Sequence, residues 1–375
     1  MTYALQTLIH ERSRYAAGVG AVLFSAVLIA LQVGLLLGLF ELTSIPVDHS
    51  SADLWVGGNH VESVDLGRPI PASYIGRLNK PGVQMPELYY LNFANFTKPG
   101  GGFSLCTVVG TGLTADHAGT PDVLTAEHRQ LLTESMTVCV DQSDLGKLGL
   151  ERVGDRGKVN GREVRLVGVV TGIKSLAAPW LLCSQTTARE LLVTANPLFA
   201  DHVTYLLARC DDPSRAKVIA KELAAEYPEM SVYTADEFST KSRMFWLLRT
   251  KAGVALGYAA LLGLMVGAVI TAQTLYAATM ASAKEFATLL ALGIPRRRIY
   301  GLVMTQSFWI GLIGVGLAYP VIHLLGYLAE QAGGRVVIRW EVLLGAAVLT
   351  MGTSLLAGLV ALRSVKNIEP MSLLR

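Results

Sequence analysis

Four stretches of the chain are apolar over about 20 residues or more, the length that crosses a hydrocarbon core as helix. They lie at 17–40, 252–279, 299–327 and 341–362. Composition agrees: 51% of the 375 residues are hydrophobic, 16% are charged, and the mean hydropathy is +0.43. Such a chain reads as a membrane protein. The first run, AGVGAVLFSAVLIALQVGLLLGLF, follows Arg12 and Arg14 as a signal peptide would. Its length exceeds the roughly 7–15 apolar residues of a signal core, so it is expected to be a retained span, with cleavage beyond it as the alternative.

Charge gives the expected topology. Arg12 and Arg14 precede the first span, Lys284 and Arg296, Arg297 and Arg298 lie between the second and third, and Arg363, Lys366 and Arg375 follow the fourth. Basic residues favour the cytoplasmic side. Residues 1–16 then form a cytoplasmic amphipathic helix with Leu5, Leu8 and Ile9 on one face. Residues 41–250 form an extracytoplasmic domain with its stalk, 280–298 a cytoplasmic loop, 328–340 an outer turn and 363–375 a cytoplasmic tail. Lys241, Arg243, Arg249 and Lys251, with Arg335 and Arg339 on the outer turn, run against this assignment. Long translocated regions largely escape the charge rule. With a net charge of +3 and no basic stripe carrying interleaved aromatics, nucleic-acid binding has no footprint.

The 41–250 segment holds short β-rich runs, SADLWVGG, SLCTVVGTGL and EVRLVGVVTGI, between Gly, Pro, Asp and Asn punctuation. Helices are expected at 184–195 and 213–227, the second opened by an Asp cap and Pro213, with a strand at 231–234. The expected fold class is thus four transmembrane α-helices with a large α+β extracytoplasmic domain between helices 1 and 2, built as one or two small subdomains. The stalk STKSRMFWLLRTK is expected to run into the second span without a break. Cys106, Cys139, Cys183 and Cys210 all fall in this segment. An oxidising compartment permits disulfides in any of three pairings, and buried free thiols are the other reading. Spacings of 33, 44 and 27 fit no zinc pattern, and no metal site is expected.

Inside the spans Gly34 and Gly38, Gly253 and Gly257, and Gly263 and Gly267 have the GxxxG spacing that lets helix backbones approach, within one chain or between two copies. Ionisable groups, which mark ion pathways through a bilayer, are nearly absent there. Gln32, Gln273 and Gln306 are neutral, Glu41 lies at the outer end of span one, and His323 near the outer end of span three. No G-x-S-x-G, H-E-x-x-H or phosphate-loop pattern occurs, so no catalytic site or cofactor is expected. Three Asp-His pairs, at Asp48-His49, Asp116-His117 and Asp201-His202, lack ligand spacing and read as surface loops.

One segment remains, KEFATLLALGIPRRRIYGLVMTQS, set between the second and third spans. From Ser282 to Leu292 a helix would place Phe286, Leu289 and Leu290 on one flank, with Gly293 as a left-handed cap and Pro295 opening the next span. Arg296, Arg297 and Arg298 would anchor that span end at an anionic membrane surface. An ordinary hairpin needs no such apolar flank, which suits a docking helix for a cytoplasmic partner.

In these residues the chain resembles the ABC-transporter permeases of the MacB and FtsX type, and within them the DevC-like branch. TLYAATMASAKEFATLLALGIPRRRI is similar to that family's coupling helix, SADLWVGG followed by LGRPI to the start of its external domain, and NIEPMSLLR to its tail. Leu290 stands where Lys or Arg is usual, and Ile368-Glu369 precede Pro370 where Asp is common. The resemblance implies a homodimeric permease in the inner (plasma) membrane, bound to two copies of a separate cytoplasmic ATPase, with ATP hydrolysis moving the stalk and external domain. Carried over, Glu285, Phe286, Leu289, Leu290, Leu292 and Gly293 would meet the ATPase. The expected role is export of a lipid, glycolipid, peptide or drug-like molecule with a periplasmic adaptor of the membrane-fusion type and an outer-membrane duct. The alternative is a Lol- or FtsX-like mechanotransmitter that activates a cell-wall hydrolase or releases lipoproteins.

Overall fold

The computed structural model describes residues 12–114, 116–175, 178–281, 288, 292–331 and 336–366. The chain divides into two compact units, Leu39–Thr250 and a helical unit made of Met1–Gly38 with Lys251–Arg375. Among the described residues the helices are, in chain order, α1 (Arg12–Asp48), α2 (Ala126–Leu131), α3 (Leu145–Leu148), α4 (Gln185–Val193), α5 (Ala216–Glu226), α6 (Ala235–Arg249), α7 (Lys251–Ala281), α8 (Arg296–Gln331) and α9 (Trp340–Lys366). The strands are β1 (Leu54–Gly58), β2 (Ile70–Pro71), β3 (Val83–Thr97), β4 (Phe103–Thr111), β5 (Thr137–Asp141), β6 (Arg156–Val159), β7 (Arg162–Val170), β8 (Trp180–Ser184), β9 (His202–Val203), β10 (Tyr205–Cys210) and β11 (Met230–Thr234).

Helices α1, α7, α8 and α9 are the four that are long and apolar enough to cross a membrane. In the helical unit small residues set the contacts. A Cβ on Gly267 would stand 2.8 Å from Ser25 Oγ and 3.3 Å from Ser25 Cα, so α7 approaches α1 at backbone distance there. Ser25 Oγ uses that closeness, donating to Gly267 O at 2.8 Å and lying 3.1 Å from Thr271 Oγ1. Ser354 Oγ of α9 donates to Ser307 O of α8 at 2.8 Å, beside Gly311 and Gly358. Hydroxyls of this kind satisfy themselves within the bundle, where no water is available.

The inserted domain is built on one nine-stranded sheet, ordered β11-β1-β10-β3-β4-β8-β5-β7-β6. The far end of β3 also pairs with β6, Phe96 opposite Val159, so β3, β4, β8, β5, β7 and β6 close a ring. Phe96, Cys106, Val108, Val138, Val159, Leu181 and Cys183 fill one buried cluster. The other face buries Trp55, Tyr89, Tyr205 and Phe238, with ring centroids 5.3 to 5.7 Å from Trp55. One or two small subdomains were the expectation. Nine of the eleven strands share one sheet, because β3 is 15 residues long and serves both halves, while β2 and β9 pair separately.

Local signals act as read. Asp212 accepts from Ser214 N ahead of α5, with Pro213 in the opening turn. Ser184 caps α4, and Thr234 with Glu237 forms a capping box on α6. Helix boundaries differ from the hydropathy reading. α1 reaches Asp48, so at 37 residues it is about 55 Å long against a core of about 30 Å, and α9 continues to Lys366. The stalk is not continuous with the second span. α6 ends at Arg249, Thr250 is extended at φ −95° and ψ 145°, and α7 starts at Lys251. The Thr250 hydroxyl donates back to Trp246 O at 2.5 Å, capping the helix that the backbone leaves.

Candidate functional site

The segment between α7 and α8 is described at its exit. Leu292 N donates to Thr288 O at 3.0 Å, the i to i−4 bond of a helical turn, and Gly293 follows at φ +85°. A side chain at that φ would be strained, which is why glycine stands there. Arg298 N donates to Pro295 O at 2.9 Å as α8 begins. Leu292 is 75% exposed, and Arg297 and Arg298 are exposed beside it. Arg296 opens α8. Glu285, Phe286, Leu289 and Leu290 lie outside the described residues, as do residues 1–11, 332–335 and 367–375.

The glycine pairs divide by environment. Gly263 and Gly267 face Leu28 and Ser25 of α1, the same chain. Gly34 faces Val336 and Val337, taking a 3.0 Å hydrogen bond from Val337 N. Gly38 and Gly253 are buried. A Cβ on Gly257 would meet nothing within 4 Å among the described residues.

Two features of the inserted domain escaped sequence reading. The first is a clamp where α1 meets α6. Asp48 accepts from Arg243 Nη2 at 2.6 Å, from Ser239 Oγ at 2.7 Å and from Ser44 Oγ at 2.6 Å, while Arg243 Nε donates to Ser44 Oγ at 2.9 Å. Arg243, a charge that opposed the expected topology, is thereby paired; Lys241 hydrogen-bonds the Tyr233 hydroxyl. Only a fold could bring residues nearly 200 apart in sequence together, so no local signal marked it.

The second is a buried carboxyl. Glu87 of β3 is 4% exposed, accepts from Gly119 N, and has His117 Nδ1 at 3.3 Å. Burial pushes its pKa up to about 7 against the opposing Gly119 hydrogen bond and the Arg209 charge. Burial also lowers His117, so both partners favour their neutral forms. Nearby, His49 pairs with Asp122 at 2.6 Å and Arg209 with Ser51 around an open polar cleft. Of the three Asp-His pairs, then, His49 and His117 turn to distant carboxylates and only His202 bonds its neighbour, Asp201, at 2.6 Å. Among the described residues no group of three or more His, Cys, Asp and Glu is arranged to hold a metal.

Of the two readings of the cysteines, the structure has the buried free thiol: Cys106, Cys139, Cys183 and Cys210 are all free and buried. Cys106 and Cys183 lie on neighbouring strands but four positions apart in register, and Cys139 belongs to the opposite face's cluster. Cys106 Sγ bonds Ala94 O at 3.3 Å and Cys183 Sγ bonds Val109 O at 3.6 Å. Burial pushes the thiols of Cys106 and Cys139 up to about 12 and Cys210 to about 11, and raises Cys183 further, which leaves them unreactive.

The chain thus combines four helices long and apolar enough to cross a membrane with an inserted α/β domain. Residues 257–370, from within α7 through α9, match the model of the FtsX-like permease C-terminal family. An uncharacterised ABC transporter permease of Methanocaldococcus jannaschii is 24% identical over 239 residues, which cover 60% of this chain and 58% of that relative. The chain thus spans less than two thirds of the curated relative it matches. Among solved structures, the periplasmic region of MacB from Actinobacillus actinomycetemcomitans is 12% identical with a TM-score of 0.35, covering 52% of this chain and 94% of that one. The extracellular domain of the noncanonic ABC-type transporter YknZ from Gram-positive bacteria is 11% identical with a TM-score of 0.33, covering 48% and 98%.

Proposed function

We propose that this chain is the permease subunit of an ABC-type export system of the DevC-like branch, without a catalytic site of its own. It works as a homodimer with two copies of a cytoplasmic ATPase in the inner (plasma) membrane. Both termini are cytoplasmic and residues 41–250 extracytoplasmic. Residues 282–298 receive the ATPase's motion, with Glu285, Phe286, Leu289, Leu290, Leu292 and Gly293 as the contact set and Arg296, Arg297 and Arg298 holding the span end. The motion passes to the inserted domain, which exports a lipid, glycolipid, peptide or drug-like molecule through a periplasmic adaptor and an outer-membrane duct.

The observation that carries this reading is the family match over 257–370, which encloses the turn that closes on Gly293. The experiment is affinity purification of the tagged chain from its own membranes in mild detergent, with mass spectrometry of what accompanies it. An ATPase together with an adaptor is the expected result; an ATPase with a peptidoglycan hydrolase or a lipoprotein carrier would replace export by mechanotransmission to those partners. The double substitution Leu289→Asp, Leu290→Asp should leave membrane insertion intact and abolish ATPase capture. Unchanged capture would remove the coupling assignment.

A further inference from the structure

Two arginines of the inserted domain, Arg129 of α2 and Arg209 of β10, line the same open polar cleft, which holds about 300 Å³. Other arginines of this domain find a carboxylate: Arg156 pairs with Glu163 at 2.8 Å, and Arg243 with Asp48 at 2.6 Å. Among the described residues Arg129 and Arg209 have none. Arg129 Nη1 donates to Leu124 O at 3.1 Å and Arg209 Nη2 to Ser51 Oγ, so both bond uncharged oxygens. Arg209 Nε is buried without a hydrogen-bond partner among the described residues. The carboxylate in the cleft, Asp122, lies 2.6 Å from His49 Nδ1 instead. Glu87 accepts from Gly119 N and has His117 Nδ1 at 3.3 Å, so it too bonds the 117–122 loop and not Arg209. A half-buried cation without a counter-charge has lost part of its hydration, and it gains more from an arriving anion than a fully solvated one does. The walls of the cleft are fixed in advance. Ser51 N donates to Ala118 O at 2.8 Å and Asp122 N to His49 O at 3.1 Å, which ties the segment after α1 to that loop. A preformed site loses little affinity to ordering.

We infer that this cleft binds a phosphate monoester. Guanidinium forks match the oxygens of phosphate, and two fixed cations suit its two charges better than the single charge of a carboxylate. The volume stands at the lower end of the roughly 300–1,000 Å³ of small-ligand sites, which leaves room for a small alcohol portion beside the phosphate. The same group occurs on soluble esters and on lipid headgroups, and the test separates the two. Every residue of the cleft belongs to Leu39–Thr250, so the site goes beyond the transport proposal and requires no ATPase.

The test uses the full chain in dodecyl maltoside, with glycerol phosphate titrated against it by isothermal titration calorimetry at constant ionic strength. Saturable binding is expected. Arg129→Gln and Arg209→Gln should each weaken it by about tenfold, while Arg156→Gln, on β6 and outside the cleft, should leave it unchanged. Thermal midpoints without ligand show whether each variant folds. Arg129 sits on a short helix with no fully buried residue, so Arg129→Gln decides the matter if Arg209→Gln does not fold. A second titration uses the chain in phosphatidylcholine nanodiscs with and without phosphatidic acid. Glycerol phosphate binding suppressed by phosphatidic acid would assign the site to a lipid headgroup, and binding undiminished there would assign it to a soluble ester. The absence of saturable binding, binding unchanged in the folded arginine variants, or acetate competing as well as glycerol phosphate would overturn the site.

Discussion

The inserted domain and the helical unit bury their side chains by opposite rules. In the domain the largest residues go inside: Trp55, Tyr89, Tyr205, Phe96 and Phe238 are each no more than 1% exposed. In the helical unit the buried positions are held largely by small residues such as Ser25, Ala26, Ala30, Thr271, Ala318, Thr350 and Ser354, while Leu261, Leu262, Met265, Tyr319, Leu344 and Val348 face outward. Water drives large apolar surfaces together because hydrating them is unfavourable. Lipid gives no such push, so helices associate through close backbone approach and shared hydroxyl bonds. The contrast marks which solvent each unit was built against.

The strongest way to break the contrast is Trp55→Ala. Its ring touches three other buried aromatics, and the loss should be about 3–5 kcal/mol. Denaturant unfolding followed by near-ultraviolet circular dichroism should show the inserted domain melting early. A midpoint within error of the parent would mean that this cluster does not hold the domain.

Next comes Glu87. Its folded pKa of about 7 lies above the ordinary 4.5, so its contribution is fully present below the ordinary value and is lost as pH rises through 7. The total is on the order of 3 kcal/mol. His117, lowered by burial, acts in the other direction as pH falls below its usual range. Thermal midpoints of the domain should therefore drop between about pH 4.5 and 7 and level off above that, and Glu87→Gln should flatten that slope. An unchanged slope in the variant would assign the pH response elsewhere.

The helical unit is probed by two glycines on one helix. Gly267→Leu drives a side chain into Ser25 and should cost about 1–3 kcal/mol, whereas Gly257→Ala, with open space, should be near neutral or slightly stabilising. Thermal melts of the detergent-solubilised chain read both, and equal effects would undo the packing account. The smallest effect is expected at the clamp. Asp48 and Arg243 have side chains about a third exposed, so Asp48→Asn should cost no more than about 1 kcal/mol, and less at high salt. A larger, salt-independent loss would show that the clamp is more than a surface ion pair.

Much of the architecture was legible because its signals are local. Hydropathy marked the four spans, Pro213 and its Asp cap marked a helix start, and glycine with proline marked the turn at 293–295. The cysteines were not legible, since whether two thiols meet depends on strand register, which no spacing encodes. The Thr250 break was missed for the opposite reason: one extended residue between two helical stretches leaves their composition unchanged. The coupling residues 285–290 were read from an apolar flank and a family resemblance, and they remain a proposal.

By itself, then, the sequence determined that the chain meets lipid, since runs of about 20 apolar residues have no other stable home. It also determined where helices and strands could start and stop, through caps, prolines and glycines whose effects reach only a few residues. Tertiary structure alone decided that Asp48 would find Arg243, that Glu87 would be buried beside His117, and that Phe93, Thr107 and Trp180 would stand in one row. Each of those depends on pairing between distant strands or helices. That pairing is set by the summed burial of whole faces, and no short stretch of chain carries it.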